Sequence, residues 1–167
     1  RNKDRFSFPE KIGEGITLHR AIDTFTDAHP EIHEAKKIFS PLVRLYAGAF
    51  VDVSFDYFLA NSIGDKALKA HSEKVYRVLR NHEEFLPENF LRMLDRMEKD
   101  NWLYNYRSDW GIEFSMKNVL NKAKYLNKNL VVFDVFLNNK PRLQYHFDHF
   151  FPDLVAEVQK IDSGFRY

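Results

Sequence analysis

Apolar and polar positions alternate along most of this chain at steps of three and four, the period of amphipathic helices, with little of the two-residue period that marks strands. Pro9 followed by Glu10 has the form of a helix start. Beyond it Ile12, Ile16, His19, Ile22, Asp23 and Asp27 recur at helical steps. Pro30 ends that helix, because its ring blocks continuation. A short helix is expected over Glu31 to Phe39, with Ser40-Pro41 opening the next. The most apolar segment, about Leu42 to Ser62, carries Leu45, Ala49, Val53, Phe55, Phe58 and Leu59 around most of its circumference and is expected at the centre of the fold.

Gly64 marks the end of that segment and Asp65 the start of a more polar helix running to about His82. Further helices are expected from Pro87 to about Tyr106 and from about Ile112 to Leu126. The run LVVFDVFL, Leu130 to Leu137, fits a buried helix segment or a strand by composition, and helix is preferred in this setting. The last helix is expected from about Pro141 to Ile161, kinked or broken at Pro152. The expectation is one all-α, compact multi-helix domain over residues 1–167, without repeats, linkers or low-complexity stretches.

Composition supports a folded core. Sixteen Phe and eight Tyr in 167 residues supply large apolar side chains and exclude a disordered chain. There is no cysteine, which excludes disulfides, thiolate chemistry and Cys-ligated zinc, and fits a reducing cytoplasm. The remaining strong ligands are His, Asp and Glu, whose oxygen and imidazole donors suit Mn, Mg, Fe or Zn. Net charge is +1, so long-range steering toward polyanions is weak and no nucleic-acid partner is expected. No apolar run is read as reaching the length of a membrane span and no signal peptide is visible, so no membrane partner is expected either. The oligomeric state is left open.

Two places set acids into the apolar pattern. His19 and Asp23 stand four apart on the first helix, stacked on one face, with Asp27 continuing the row. Asp52 and Asp56 stand four apart within the most apolar helix, where two carboxylates would repel and lose hydration unless a cation joined them. Facing helices of a bundle commonly hold metals in this manner. The bland alternatives are a surface ion pair for His19–Asp23 and helix-to-helix hydrogen bonding for Asp52 and Asp56, and spacing alone leaves both open. His29 and His33, at a helix boundary, read as capping or solvated groups. His71 and His82 read as surface, and His146 and His149 as members of an aromatic cluster.

The segment from Gly15 through Leu18, His19, Arg20, Asp23, Phe25 and Asp27 to His29-Pro30-Glu31 resembles the signature of the acyl carrier protein phosphodiesterases. Glu34-Ala35-Lys36 and Phe39 continue the likeness. Asp52-Val53-Ser54-Phe55-Asp56-Tyr57-Phe58-Leu59 resembles that family's second block. Trp102-Leu103 with Tyr106, and Phe147, Phe150, Phe151 and Pro152, are similar to two shorter ones. The resemblance implies hydrolysis of holo-acyl carrier protein to apo-acyl carrier protein and 4′-phosphopantetheine, by an all-helical enzyme related to the HD-type phosphohydrolases and dependent on Mn2+, with Mg2+ or Fe2+ as other candidates. It further implies His19, Asp23, Asp52 and Asp56 as metal ligands, with Asp52 or Asp56 also serving as base. Arg20 is expected as a phosphate contact and Asp27 as support for a ligand. The family's opening helix, with a Gly-Asn-Phe/Leu-Ile/Leu-x-Asp-like stretch, is not in this sequence, and its Asp is expected as a further ligand. The His-Asp dipeptide that names the HD-type enzymes does not occur here.

An acidic carrier protein calls for a basic docking face, for which Lys66, Lys69, Lys74, Arg77 and Arg80 are candidates, with Arg1, Lys3 and Arg5 as a second group. The rival readings are a nucleotide-directed metal phosphohydrolase and a non-catalytic helical interaction module.

Overall fold

The computed structural model describes residues 10–164, and among these every regular element is helical. Helix α1 (Glu10–Ala28) is followed by α2 (Pro30–Val43), α3 (Ala47–Ser62) and α4 (Asp65–Arg80). Helices α5 (Glu88–Lys99), α6 (Trp102–Asn105), α7 (Asp109–Lys122) and α8 (Val132–Gly164) complete the described chain. The predicted all-α class and the helix assignment for residues 130–137 agree with this from Val132 onward. The basic residues Arg1, Lys3 and Arg5, together with Pro9, lie outside the described residues.

The core is built by α2, α3, α7 and α8. Phe39, Phe50, Val51, Ile112, Phe136 and Leu143 are wholly excluded from solvent. Rings from α3 and α8 interlock edge to face: Phe55 meets Phe147 at 5.4 Å and Tyr57 meets Phe136 at 5.4 Å, spacings typical of favourable aromatic pairs. Helix α3 is buried around most of its circumference, as its composition predicts. Its buried hydroxyl, on Ser54, is satisfied by donating to the Phe50 carbonyl at 2.7 Å. Asp52 stands exposed on α3, and Asp56, one turn on along the same face, is half-buried.

Pro30 separates α1 from α2 and Pro87 precedes α5 as the sequence suggests, but other prolines set no boundary. Helix α2 runs through Ser40-Pro41 to Val43, because Pro41 falls in the last turn, where only one internal hydrogen bond is forfeited. The chain turns at Arg44, whose φ of 50° is a left-handed conformation that costs a non-glycine residue strain. A single tight turn over Arg44–Tyr46 then leads into α3. Leu45, expected on the buried circumference, sits in this turn and is fully exposed.

The two segments expected separately at residues 130–137 and 141–161 form one continuous helix, α8, through Pro141 and Pro152. Both prolines are exposed, as are Leu137 and Asp148, whose carbonyls lose their donors and can turn to water instead. The opposite face carries Phe136, Leu143, His146, Phe147 and Phe150, buried at three- and four-residue steps. The helix expected from Pro87 to Tyr106 is divided at Asn101, which adopts φ 46°, a conformation Asn tolerates better than most residues. Tyr76 ties the pieces together: its hydroxyl donates to the Met97 carbonyl at 3.1 Å and accepts from the Leu103 N–H at 3.1 Å.

One expectation about apolar runs is corrected. By length and composition alone, Pro30–Ser62 contains a stretch sufficient to cross a membrane. The fold uses that stretch as the packed α2–α3 pair, turned at Arg44, whose apolar positions Ile32, Phe39, Val43, Phe50 and Phe58 form the protein core.

Candidate functional site

Helix α1 lies at the edge of the core, packed on α2 and α8. Phe25 anchors it, with its ring 6.4 Å from Phe150 and 5.5 Å from His29. Its junction with α2 is held by histidines. The Glu31 N–H donates to His29 Nδ1 at 3.2 Å, so His29 caps α2 and its Nε2–H faces Asp153 at 3.1 Å. His33 Nε2–H donates to the Asp27 carbonyl at 2.8 Å. The capping role read from sequence thus falls to His29, and His33 fastens the end of α1 to the start of α2.

This junction turns the end of α1 so that Asp23 and Asp27 are within electrostatic reach of Asp52 on α3. Lys36 of α2 enters the same group. Its Nζ contacts Asp27 Oδ1 at 3.3 Å, and its side chain lies over Gly48, where an added Cβ would stand 3.3 Å from Lys36 Cε. Asp52 is exposed as a residue, yet enough protein surrounds its carboxyl that desolvation pushes its pKa above the usual carboxylate range. Lys36 opposes that shift, while Asp27 and Asp23 add to it. Asp56, one turn further along and half-buried, is pushed up to about 7, first by burial and then by the charge on Asp52. Tyr106 stands near Asp56, and its phenol is pushed up to about 12 by burial, by Asp56 and by Tyr76.

The structure therefore gathers Asp23, Asp27, Asp52 and Asp56 from two helices onto one acidic face. His19 remains at its outer rim, with Nε2 3.5 Å from Asp23 Oδ2 and both side chains mostly in solvent. Arg20, its neighbour in sequence, is likewise exposed on α1. The donor chemistry of this face, carboxylate oxygen with one imidazole, fits a hard divalent cation, and two mutually repelling carboxyls on α3 favour one. The number of ligands does not fit: among the described residues no three His, Asp or Glu side chains converge closely enough to enclose a metal ion.

Two participants are invisible to helical spacing. Lys36, on α2, and Tyr106, in the segment between α6 and α7, reach the acids only through tertiary packing, and no periodicity links them to Asp52 or Asp56. A second buried polar pair lies apart, where His146 Nδ1–H donates to Glu31 Oε2 at 2.6 Å while His146 Nε2 is buried without a partner among the described residues. His146 thus belongs to an ion-pair contact between α8 and α2 as well as to the aromatic cluster. His149 is exposed against the Tyr145 ring at 4.1 Å, and His71 and His82 are exposed as expected.

Of the basic candidates, Arg80 is already engaged by Glu98 at 2.9 Å, Glu83 at 2.9 Å and Asp95 at 2.7 Å, which raises its pKa and removes it from a docking surface. Lys66, Lys69, Lys74 and Arg77 are exposed along α4.

Comparison with known proteins points in one direction. No solved structure matches this chain significantly. Curated relatives named acyl carrier protein phosphodiesterase, from Salmonella agona (strain SL483) and Salmonella newport (strain SL254), are each 28% identical over 164 residues. The aligned region covers 92% of this chain and 81% of each relative. The family model described as acyl carrier protein phosphodiesterase matches residues 1–154, nearly the whole chain and all of the acidic face, and the chain belongs to that family.

Proposed function

We propose that this protein is a phosphodiester hydrolase that releases 4′-phosphopantetheine from holo-acyl carrier protein, leaving the apo form. The family match over residues 1–154 carries this reading, and the acidic face formed by Asp23, Asp27, Asp52 and Asp56 supplies its site. In the reaction, water oxygen bonds to phosphorus, the bond from phosphorus to the serine oxygen breaks, and a proton reaches that oxygen. A carboxyl of this face can hold or take up such a proton, a role assigned to whichever of Asp52 and Asp56 does not hold the cation. Lys36 supplies a fixed positive charge beside the carboxylates, suited to a phosphodiester oxygen.

The reading includes a divalent cation, Mn2+ by family resemblance, for which Asp52, Asp56, Asp23 and His19 would supply part of the ligand set. When bound, such an ion polarises a phosphoryl oxygen and lowers the pKa of water. Arg20 is assigned a phosphate contact, and Asp27 is assigned to hold Lys36 in place. Docking of the acidic carrier is assigned to Lys66, Lys69, Lys74 and Arg77. The kinship with HD-type phosphohydrolases and a cytoplasmic location are part of the same proposal, supported by the helical fold and the absence of cysteine.

The test is conversion of holo- to apo-acyl carrier protein with and without Mn2+, alongside hydrolysis of a nucleotide panel. Conversion stimulated by Mn2+ and lost in Asp23→Ala is expected. Because Asp23 is exposed, its removal should change stability by no more than about 0.5 kcal/mol, so lost activity would report chemistry and not unfolding. Full activity in Asp23→Ala, or preference for nucleotides, would overturn the assignment.

A further inference from the structure

A second cleft opens between α5 and α7, apart from the acidic face and unused by the hydrolysis proposed above. It encloses about 410 Å³, within the range of small-molecule sites. Its walls carry Arg92, Arg96 and Lys122, together with Asn118, Trp102 and Phe114. Asp100 is the single carboxylate among the lining residues.

Three features separate this cleft from an ordinary solvated groove. Arg92 is held by Glu88 at 2.9 Å, but neither Arg96 nor Lys122 has an ion-pair partner among the described residues, so positive charge predominates in the walls. Trp102 contributes its ring to the wall, and its indole Nε1–H is buried with no acceptor among the described residues. Apolar surface stands beside these donors: the Trp102 ring is 5.8 Å from Phe114, and Phe114 in turn stacks with Trp110 at 5.8 Å and 15°. Arginine forks and an ammonium suit phosphate oxygens, and ring faces suit a flat apolar group.

We infer that the α5–α7 cleft binds an organic phosphate monoester bearing an aromatic or similarly flat apolar arm, with Arg96 and Lys122 on the phosphate and Trp102 and Phe114 against the arm. The inference does not depend on the hydrolytic activity, because none of these residues belongs to the acidic face.

Both tryptophans of the protein lie in or beside the cleft, so intrinsic fluorescence reads occupancy directly. The full chain is titrated with phenyl phosphate, inorganic phosphate and benzyl alcohol. Saturable quenching by phenyl phosphate is expected, with both fragments binding more weakly. Losing charge-assisted hydrogen bonds in the Arg96→Gln/Lys122→Gln variant should weaken binding at least about ten-fold. Asp23→Ala should bind as the unaltered protein does, which separates this cleft from the acidic face. Absence of saturable quenching, affinity undiminished in the double variant, or binding lost in Asp23→Ala would each overturn the inference.

Discussion

Replacing Asp56 with Asn tests the electrostatics of the acidic face directly. Burial and the neighbouring Asp52 lift the Asp56 carboxyl from its ordinary 3.8 to about 7. The folded protein therefore binds this proton more tightly than the unfolded chain does. The stability associated with the protonated form is fully present below about pH 4 and is lost as pH rises through about 7. Three pKa units correspond to a ceiling of about 4 kcal/mol of strain at alkaline pH. Asp56 keeps part of its hydration, so about half of that, roughly 2 kcal/mol, is the realistic release on neutralisation. For a domain of this size each 1 kcal/mol moves Tm by about 2–4 °C, giving an expected rise of roughly 4–8 °C for Asp56→Asn at pH 8. At pH 4 the difference should shrink to less than about 1 kcal/mol, because the folded Asp56 carboxyl is then protonated and uncharged like the amide. Thermal unfolding followed by circular dichroism at pH 4, 6 and 8, without divalent cations, measures the difference. Hydrolytic activity should fall in the same variant, the usual exchange of stability for function at a strained site. A gain that is absent at pH 8, or equal at pH 4 and pH 8, would refute the reasoning.

Gly111 should not accept a side chain: an added Cβ would stand 2.0 Å from the Asn105 carbonyl oxygen, and backbone cannot yield as a flexible side chain can. Gly111→Ala is expected to lose at least about 2 kcal/mol in urea unfolding, and unchanged stability would show that the α6–α7 junction relaxes freely. Tyr76→Phe removes a hydroxyl that serves Met97 and Leu103, and should cost about 1–3 kcal/mol with the loss seen as faster hydrogen exchange in α5 and α6. Lys69→Glu/Lys74→Glu should raise KM for acyl carrier protein and flatten its salt dependence, whereas Arg80→Met should chiefly lower stability. Equal effects on KM from both would contradict the assignment of Arg80 to an internal ion-pair cluster.

The site illustrates how differently neighbours in space are written in sequence. His19 with Asp23, and Asp52 with Asp56, are four residues apart and share a helix face for local geometric reasons, so their pairing is legible before any fold is known. Asp52 and Asp23 are separated by a helix break, an entire helix and a left-handed turn at Arg44. Their approach depends on how α1, α2 and α3 pack. Lys36 and Tyr106 join them by the same packing, and so left no periodic trace. Arg80 misled in the opposite way: its place in a basic stripe is local, but its acidic partners come from α5 and the turn before it.

Sequence by itself determined the helical class, the burial of the segment around Phe50 to Phe58, and the two acid pairs, because each follows from side-chain period and hydrophobicity over a few turns. Tertiary structure alone decided that Pro41, Pro141 and Pro152 leave their helices unbroken, that Leu45 faces water, and that Asp56 titrates near neutrality. Those outcomes rest on whether a freed carbonyl meets solvent and on how much protein and charge surround a carboxyl, and both are set by segments distant along the chain.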